Sequence, residues 1–284
     1  MNKQKRSSVW WSILLIGIYL WIQVVTSIIF TVVYMLTDMF RTGQTEPFTF
    51  DRFIQNFMGE RLLTILFISS ILSLIICLFI YRWRKIKNYS HMKLNSTSSG
   101  FLLLAIPTGL AVEFTAMIIF ALTASVFKQS ADAYESMVSG LTTSVFAFIT
   151  IGIVAPIVED LIFRGMILNE LRRNYSVTAA IIIQAVLFGF MHLNIAQAVY
   201  ATFAGLILGM IAVAANSVWP AVIGHIIMNS SALLLSYLDE EKVNALLIPV
   251  VALSFVFLFI TCRKLIVKIK NMNMSTEEQP DVFI

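Results

Sequence analysis

Cysteine, histidine and charge are all scarce in this chain. Of 284 residues two are cysteine and three are histidine, and Asp, Glu, Lys and Arg together make up 13%. Cys77 and Cys262 both fall inside apolar runs, so neither a disulfide framework nor a cysteine-based metal spacing can be assembled. Charge at about half the usual ~25%, beside 58% hydrophobic residues, is more apolar surface than a water-soluble domain of this length can hide. The same balance excludes disordered and coiled-coil chains, and 12 glycines without a period exclude a collagen-like one. Rossmann and P-loop glycine patterns and internal repeats are absent as well.

What charge there is carries orientation. The net charge is +4, yet Lys and Arg lie between apolar stretches instead of gathering on one face. That distribution fits a lipid bilayer as partner and not a nucleic acid. A helix needs about 20 apolar residues to cross a ~30 Å hydrocarbon core. Eight stretches qualify: 9–36, 62–81, 100–127, 141–164, 177–197, 200–215, 218–238 and 243–262. The sixth is short, and its join to the fifth is the least defined. The first run is far longer than the ~7–15 apolar residues of a signal peptide and lacks an A-x-A site, so it reads as a retained anchor.

With the N-terminus inside, fourteen Lys and Arg fall on inner segments and five on outer ones, which the positive-inside rule favours. The expected fold is therefore an all-α polytopic membrane protein of about eight transmembrane helices with both termini cytoplasmic. It divides into N-terminal spans with an outer segment (1–140), a helical core plus the last span (141–262), and a basic, then disordered, tail (263–284). The outer segment 38–60 carries Phe48, Phe50, Phe53, Ile54 and Phe57 among polar residues, a pattern suited to lying flat at the interface.

Ionisable groups inside such spans cost at least ~2.5–3.5 kcal/mol each at the bilayer centre, so each needs a reason. They are Glu113 in the third span, Glu159, Asp160 and Arg164 in the fourth, His192 ending the fifth, and His225 with Asn229 in the seventh. His91, in the basic inner loop, reads as solvated. Asp160 and Arg164 are one helical turn apart and share a face, where a structural ion pair is as good a reading as chemistry. Glu159 is rotated by about 100° from Asp160 and faces elsewhere. His225 and Asn229 also share a face, and Phe188 lies one turn before His192 and buttresses its ring. Pro156 should kink the fourth helix and free a backbone carbonyl. Glu113 reads as a bundle-facing hydrogen-bonding residue or as a partner for Arg164 or a site histidine.

Depth sets a condition on convergence. At ~1.5 Å per residue Glu159 lies about 20 Å from Arg172 and His192 about 28 Å from Arg173. Closing that gap of about 8 Å requires tilt or non-helical chain around 174–176.

A carboxylate beside an imidazole holds and deprotonates water, worth about 10²–10⁴ in rate. A second imidazole and an amide can donate to a developing oxyanion, each such donor worth ~2.7–4 kcal/mol. Together these parts suit amide hydrolysis without a covalent intermediate. A G-x-S-x-G serine and the H-E-x-x-H zincin pattern are absent. Zinc held by Glu159, His192 and His225, a known catalytic His₂Glu set, stays open beside the metal-free mechanism, with Asp160 then the spare base.

These residues also carry a resemblance. Glu159-Asp160-Leu161-Ile162-Phe163-Arg164 resembles the EExxxR motif of the CPBP family, the type II CAAX proteases and bacteriocin-processing (Abi) enzymes. Phe188-Gly189-Phe190-Met191-His192 is similar to its FxxxH motif, and His225-Ile226-Ile227-Met228-Asn229 to its HxxxN motif. The three occur in the family's order on three spans, and the first half of the chain adds little. The one departure is Asp160 where the family has a second Glu.

The resemblance implies an eight-helix intramembrane endopeptidase, in a bacterial plasma membrane, acting on membrane-associated peptides or proteins. It implies that Glu159 and His192 activate water, that His225 and Asn229 form the oxyanion hole, and that Arg164 holds the fourth helix. The family has been described both as metalloproteases and as glutamate proteases, so the favoured mechanism uses no cofactor and Zn²⁺ is the alternative. The rival functions are a non-catalytic bacteriocin self-immunity or scaffold protein and, last, a transporter, which usually shows repeated halves.

Overall fold

The computed structural model describes residues 3–41, 60–83, 92–139, 144–238 and 240–278. Nine helices account for nearly all of them: α1 (Lys3–Arg41), α2 (Glu60–Trp83), α3 (Ser99–Val126), α4 (Lys128–Ser139), α5 (Val145–Arg172), α6 (Val177–Met191), α7 (Ile195–Ala215), α8 (Trp219–Leu235) and α9 (Glu240–Glu278). No strand occurs among the described residues. In lipid every backbone N–H and C=O must be satisfied within its own segment, and apolar runs of this length do that only as helices.

Six helices are long and apolar enough to cross a membrane, namely α1, α2, α3, α5, α7 and α9 within their apolar stretches, while α6 and α8 have 15 and 17 residues. The chain is an integral, multi-pass, all-helical membrane protein. Its outer faces are apolar: Trp21, Phe79, Leu103, Leu253 and Phe259 are each more than 60% exposed, a surface that lipid, not water, covers.

The sequence expectation needs correcting at four places. The fifth and sixth runs divide at 192–194, not at 198–199, because Leu193 takes a positive φ of 56° and the Asn194 side chain caps α7 by accepting from the Gln197 N–H. The sixth run is therefore a full 21-residue helix, and the fifth and seventh are the short ones. The fourth continues to Arg172. The last runs on as helix to Glu278, into the tail that reads as disordered, with no proline between Pro249 and Pro280. The outer phenylalanine segment and His91 lie outside the described residues.

The tightest packing joins α6 with α7, α3 with α8, and α1 with α2. α5 threads the centre, and Ile162, Phe163, Met166, Ile167, Leu168 and Leu171 on it are buried. Two helix pairs approach so closely that only glycine fits. A Cβ on Gly109 would stand 2.2 Å from the Gly224 carbonyl, and one on Gly189 would stand 2.0 Å from Thr202 Oγ1. Small residues let backbones meet where lipid offers no hydrophobic drive for helices to associate. Both contacts lie beside site histidines, Gly224 before His225 and Gly189 one turn before His192.

A turn over 173–176 separates α5 from α6, and Ser176 starts α6 by accepting from the Ala179 N–H. This is the non-helical chain that the depth condition named as an alternative to tilt.

Candidate active site

α5 is not a uniform α-helix. Residues Phe148–Val154 and Leu161–Ile167 are π-helical, flanking the α-helical Ala155–Asp160 that carries Pro156 and both acidic residues. π-turns widen the helix and leave backbone groups to be satisfied from outside. Pro156 adds to that need, because its missing N–H cannot serve the carbonyls one turn earlier. Those carbonyls find partners on α8: Asn229 Nδ2 donates to the Ile151 oxygen at 3.0 Å and Ser230 Oγ to the Gly152 oxygen at 3.3 Å. Pro156 thus frees carbonyls as its position suggested, but the helix continues through it, and the freed groups staple α8 to α5.

Four charge-bearing side chains then meet in the bundle. Arg164 Nη1 lies 2.6 Å from Asp160 Oδ1, both side chains fully buried. The other oxygen of Asp160 lies 3.3 Å from Nδ1 of His225. Nε2 of the same ring faces Glu159 Oε2 at 3.9 Å, and the Glu159 side chain keeps 13% exposure. His225 therefore lies between two carboxylates. With Arg164 cationic and Asp160 anionic, one proton shared between Glu159 and His225 makes the group neutral overall, as a low-dielectric interior requires.

His192 ends α6, and its Nδ1 lies 2.9 Å from the Phe188 carbonyl oxygen. A carbonyl only accepts, so Nδ1 carries the proton and Nε2 of the neutral ring keeps a lone pair. The Phe188 ring organises the rest. It meets His192 edge-on at 5.1 Å and His225 at 5.8 Å, packs on Phe163 at 5.0 Å, and lies 4.3 Å from the Arg164 guanidinium carbon. A cation over a ring face is stabilising, more so away from water.

The structure thus brings Glu159, Asp160, Arg164, Phe188, His192 and His225 together, with two departures from expectation. The imidazole beside Glu159 is that of His225, and among the described residues no hydrogen bond or ion pair joins Glu159 to His192. Asn229 shares the α8 face with His225 but commits one amide hydrogen to Ile151.

Glu113, expected near Arg164 or a histidine, has no hydrogen bond or ion pair with either among the described residues. It is buried on α3, and its charge is felt instead at Tyr134 of α4. Burial raises that phenol above its ordinary value, the bond from Tyr200 at 2.8 Å opposes the rise, and the Glu113 carboxylate adds to it.

The zinc alternative needs Glu159, His192 and His225 turned to one point. Among the described residues no three His, Cys, Asp or Glu side chains form a group that could hold a metal ion, and both nitrogens of His225 point at carboxylates. The residues as placed do not fit zinc, and the chemistry below is derived without it.

Sequence reasoning passed over three supports. Gln184 is buried on α6 and donates to the Gly205 carbonyl of α7 at 2.7 Å. Ser230 and the Gly109–Gly224 contact hold α8 in place. The spacing of Gly205 and Gly209, a small-xxx-small pattern, was the readable signal for the α6–α7 approach.

Comparison with known proteins adds one match. Residues 141–231 match the family model described as "Type II CAAX prenyl endopeptidase Rce1-like". The matched segment spans every residue of the α5, α6 and α8 cluster. Neither the curated proteins nor the solved structures contain a significant match. The likeness to type II CAAX prenyl endopeptidases is carried by residues 141–231, less than half of the chain.

Proposed function

We propose that this protein is a glutamate-type intramembrane endopeptidase that hydrolyses peptide bonds of membrane-associated peptides or protein tails. The observation that carries the reading is the charge-balanced set of Glu159, His225, Asp160 and Arg164, halfway along a membrane-spanning helix, with Glu159 alone of the two acids keeping an accessible side chain. A structural ion pair needs Asp160 and Arg164 only. It gives no reason for a second carboxylate and two imidazoles.

In the proposed reaction Glu159 accepts a proton from a water that His192 Nε2 helps to orient. The resulting hydroxide attacks the scissile carbonyl carbon. His225 donates its Nδ1 proton to Asp160, so its Nε2 carries a hydrogen for the oxyanion only when the ring is the imidazolium, a cation lying between two carboxylates. The second amide hydrogen of Asn229 adds a donor. Collapse of the tetrahedral intermediate breaks the C–N bond, and protonated Glu159 hands its proton to the leaving amine. Water and amide become carboxylic acid and amine with nothing left over.

The name of the matched family denotes prenyl endopeptidases, so prenylated tails are one substrate class to test, beside bacteriocin leaders and peptide pheromones. Quantitative mass spectrometry of membrane and secreted peptides, from cells carrying wild type or Glu159→Gln at matched expression, finds the substrate. The purified pair then tests direct cleavage. The expected result is a product seen with wild type only, a loss of about 10²–10⁴ in rate for the variant, and no loss with a chelator. Full cleavage by Glu159→Gln overturns the reading. A biological activity that Glu159→Gln supports equally well would establish the non-catalytic immunity or scaffold role instead.

A further inference from the structure

Away from the site, at the Lys- and Arg-rich end of the bundle, Arg263, Lys264 and Lys268 of α9 line an open groove of about 620 Å³. Val267, Asn271 and Met272 complete its lining, and no carboxylate is among the described residues that line it. Three cations along one groove repel one another unless an anion joins them.

One of these cations also reaches a helix N-terminus. Lys268 Nζ sits 4.4 Å over the Phe101 ring, in the first turn of α3. Ser98 occupies the N-cap of that 28-residue helix but its side chain makes no capping bond. A Cβ on Gly100 would meet nothing nearer than Ser98 Oγ at 3.9 Å, so the space there is open. Uncapped N–H groups and the positive end of the helix dipole attract the same kind of ligand as the three cations do.

We propose that Arg263, Lys264 and Lys268 of α9 and the N-terminal turn of α3 form a binding site for the phosphate headgroup of an anionic phospholipid. Phosphate is the shared chemistry of a headgroup and a free ion, and the wall of the site selects the lipid. Val267 is 58% and Ile266 55% exposed beside the cations, on a helix whose apolar stretch spans the bilayer, so acyl chains have a surface to follow. Under the positive-inside orientation this is the cytoplasmic leaflet, where anionic lipids and basic juxtamembrane segments meet. The site is separate from the proposed proteolytic centre and does not depend on it.

The test titrates the detergent-solubilised full chain with phosphatidylglycerol, with phosphatidylcholine and, in a separate arm, with inorganic phosphate, and counts adducts by native mass spectrometry. Lys268→Gln and Lys270→Gln remove the same charge from the same helix, and both residues are exposed, so folding is spared. Lys270 does not line the groove. The expected result is one saturable phosphatidylglycerol adduct, weakened about fivefold by Lys268→Gln and unchanged by Lys270→Gln. Equal weakening by both variants reduces the site to diffuse charge attraction and overturns the proposal. So does equal retention of phosphatidylcholine. Inorganic phosphate bound as tightly as the lipid, and lost with Lys268→Gln, assigns the site to the free ion and overturns the lipid assignment.

Discussion

Asp160 and His225 are joined by a contact of 3.3 Å between Oδ2 and Nδ1. Asp160 is the position at which this chain departs from the paired glutamates of the EExxxR motif it resembles, and it is the more deeply engaged of its two acids. Its short side chain bridges Arg164 on its own helix and His225 on α8, so it fixes which nitrogen of His225 is left to face Glu159. The two acids are thereby distinguished, since Asp160 orients the imidazole while the Glu159 side chain keeps some exposure.

Asp160→Asn should therefore be a stability variant as well as an activity variant. It leaves the buried Arg164 guanidinium without its counter-charge, and removing one partner of a buried pair typically costs about 3–5 kcal/mol. Thermal unfolding in detergent should show a marked fall in midpoint. Asp160→Glu restores the charge and should recover most of it. An unchanged midpoint for Asp160→Asn would mean that Arg164 is neutralised by another group.

Phe188→Leu keeps an apolar side chain but removes the ring that faces Arg164, His192 and His225. Loss of a desolvated cation–ring contact is worth about 2 kcal/mol. The turnover number should fall more than KM rises, since the ring is buried and packs on both imidazoles. Unaltered turnover in reconstituted vesicles would show that both imidazoles hold their places without it.

Asn229 and Ser230 occupy matched positions on the staple between α8 and α5, and this gives a way to divide staple from catalysis. Either alanine variant should lose about 0.5–1.5 kcal/mol of stability through its hydrogen bond. Only Asn229→Ala should also lose about 10²–10³ in turnover, the usual cost of an oxyanion donor. Equal turnover for the two variants would confine Asn229 to the staple.

Gly189→Ala places a methyl against Thr202 Oγ1 and the Ala198 carbonyl, at 2.0 and 2.5 Å. The helices must part or the backbone of α6 must shift, at a cost of about 1–3 kcal/mol, and His192 moves with them. Thr202→Ala removes the nearer obstacle, so the double variant should regain part of both stability and activity, with a coupling of about 0.5–3 kcal/mol. Strict additivity of the two substitutions would sink this account.

Much of the protein was legible in its sequence because the bilayer imposes simple rules. Apolar length, sparse charge and the Lys/Arg bias determine an all-helical multi-pass chain. The cost of charge in lipid singles out Glu159, Asp160, Arg164, His192, His225 and Asn229 before any coordinates. The pairing of Asp160 with Arg164 follows from helix periodicity alone. Where one helix had to be divided from the next, the same reasoning failed at 192–199, since a left-handed Leu193 and an Asn194 cap outweigh hydropathy and are local backbone choices.

Only the tertiary structure decided who meets whom. The approach of His225 to both carboxylates, the placement of Glu113 beside tyrosines and not beside Arg164, and the capture of the Ile151 and Gly152 carbonyls by Asn229 and Ser230 all depend on how α8 sits against α5 and α3. That placement is set by glycine contacts and π-turns spread over distant parts of the chain. Periodicity reports the face on which a side chain lies, and the partner opposite that face is a property of packing.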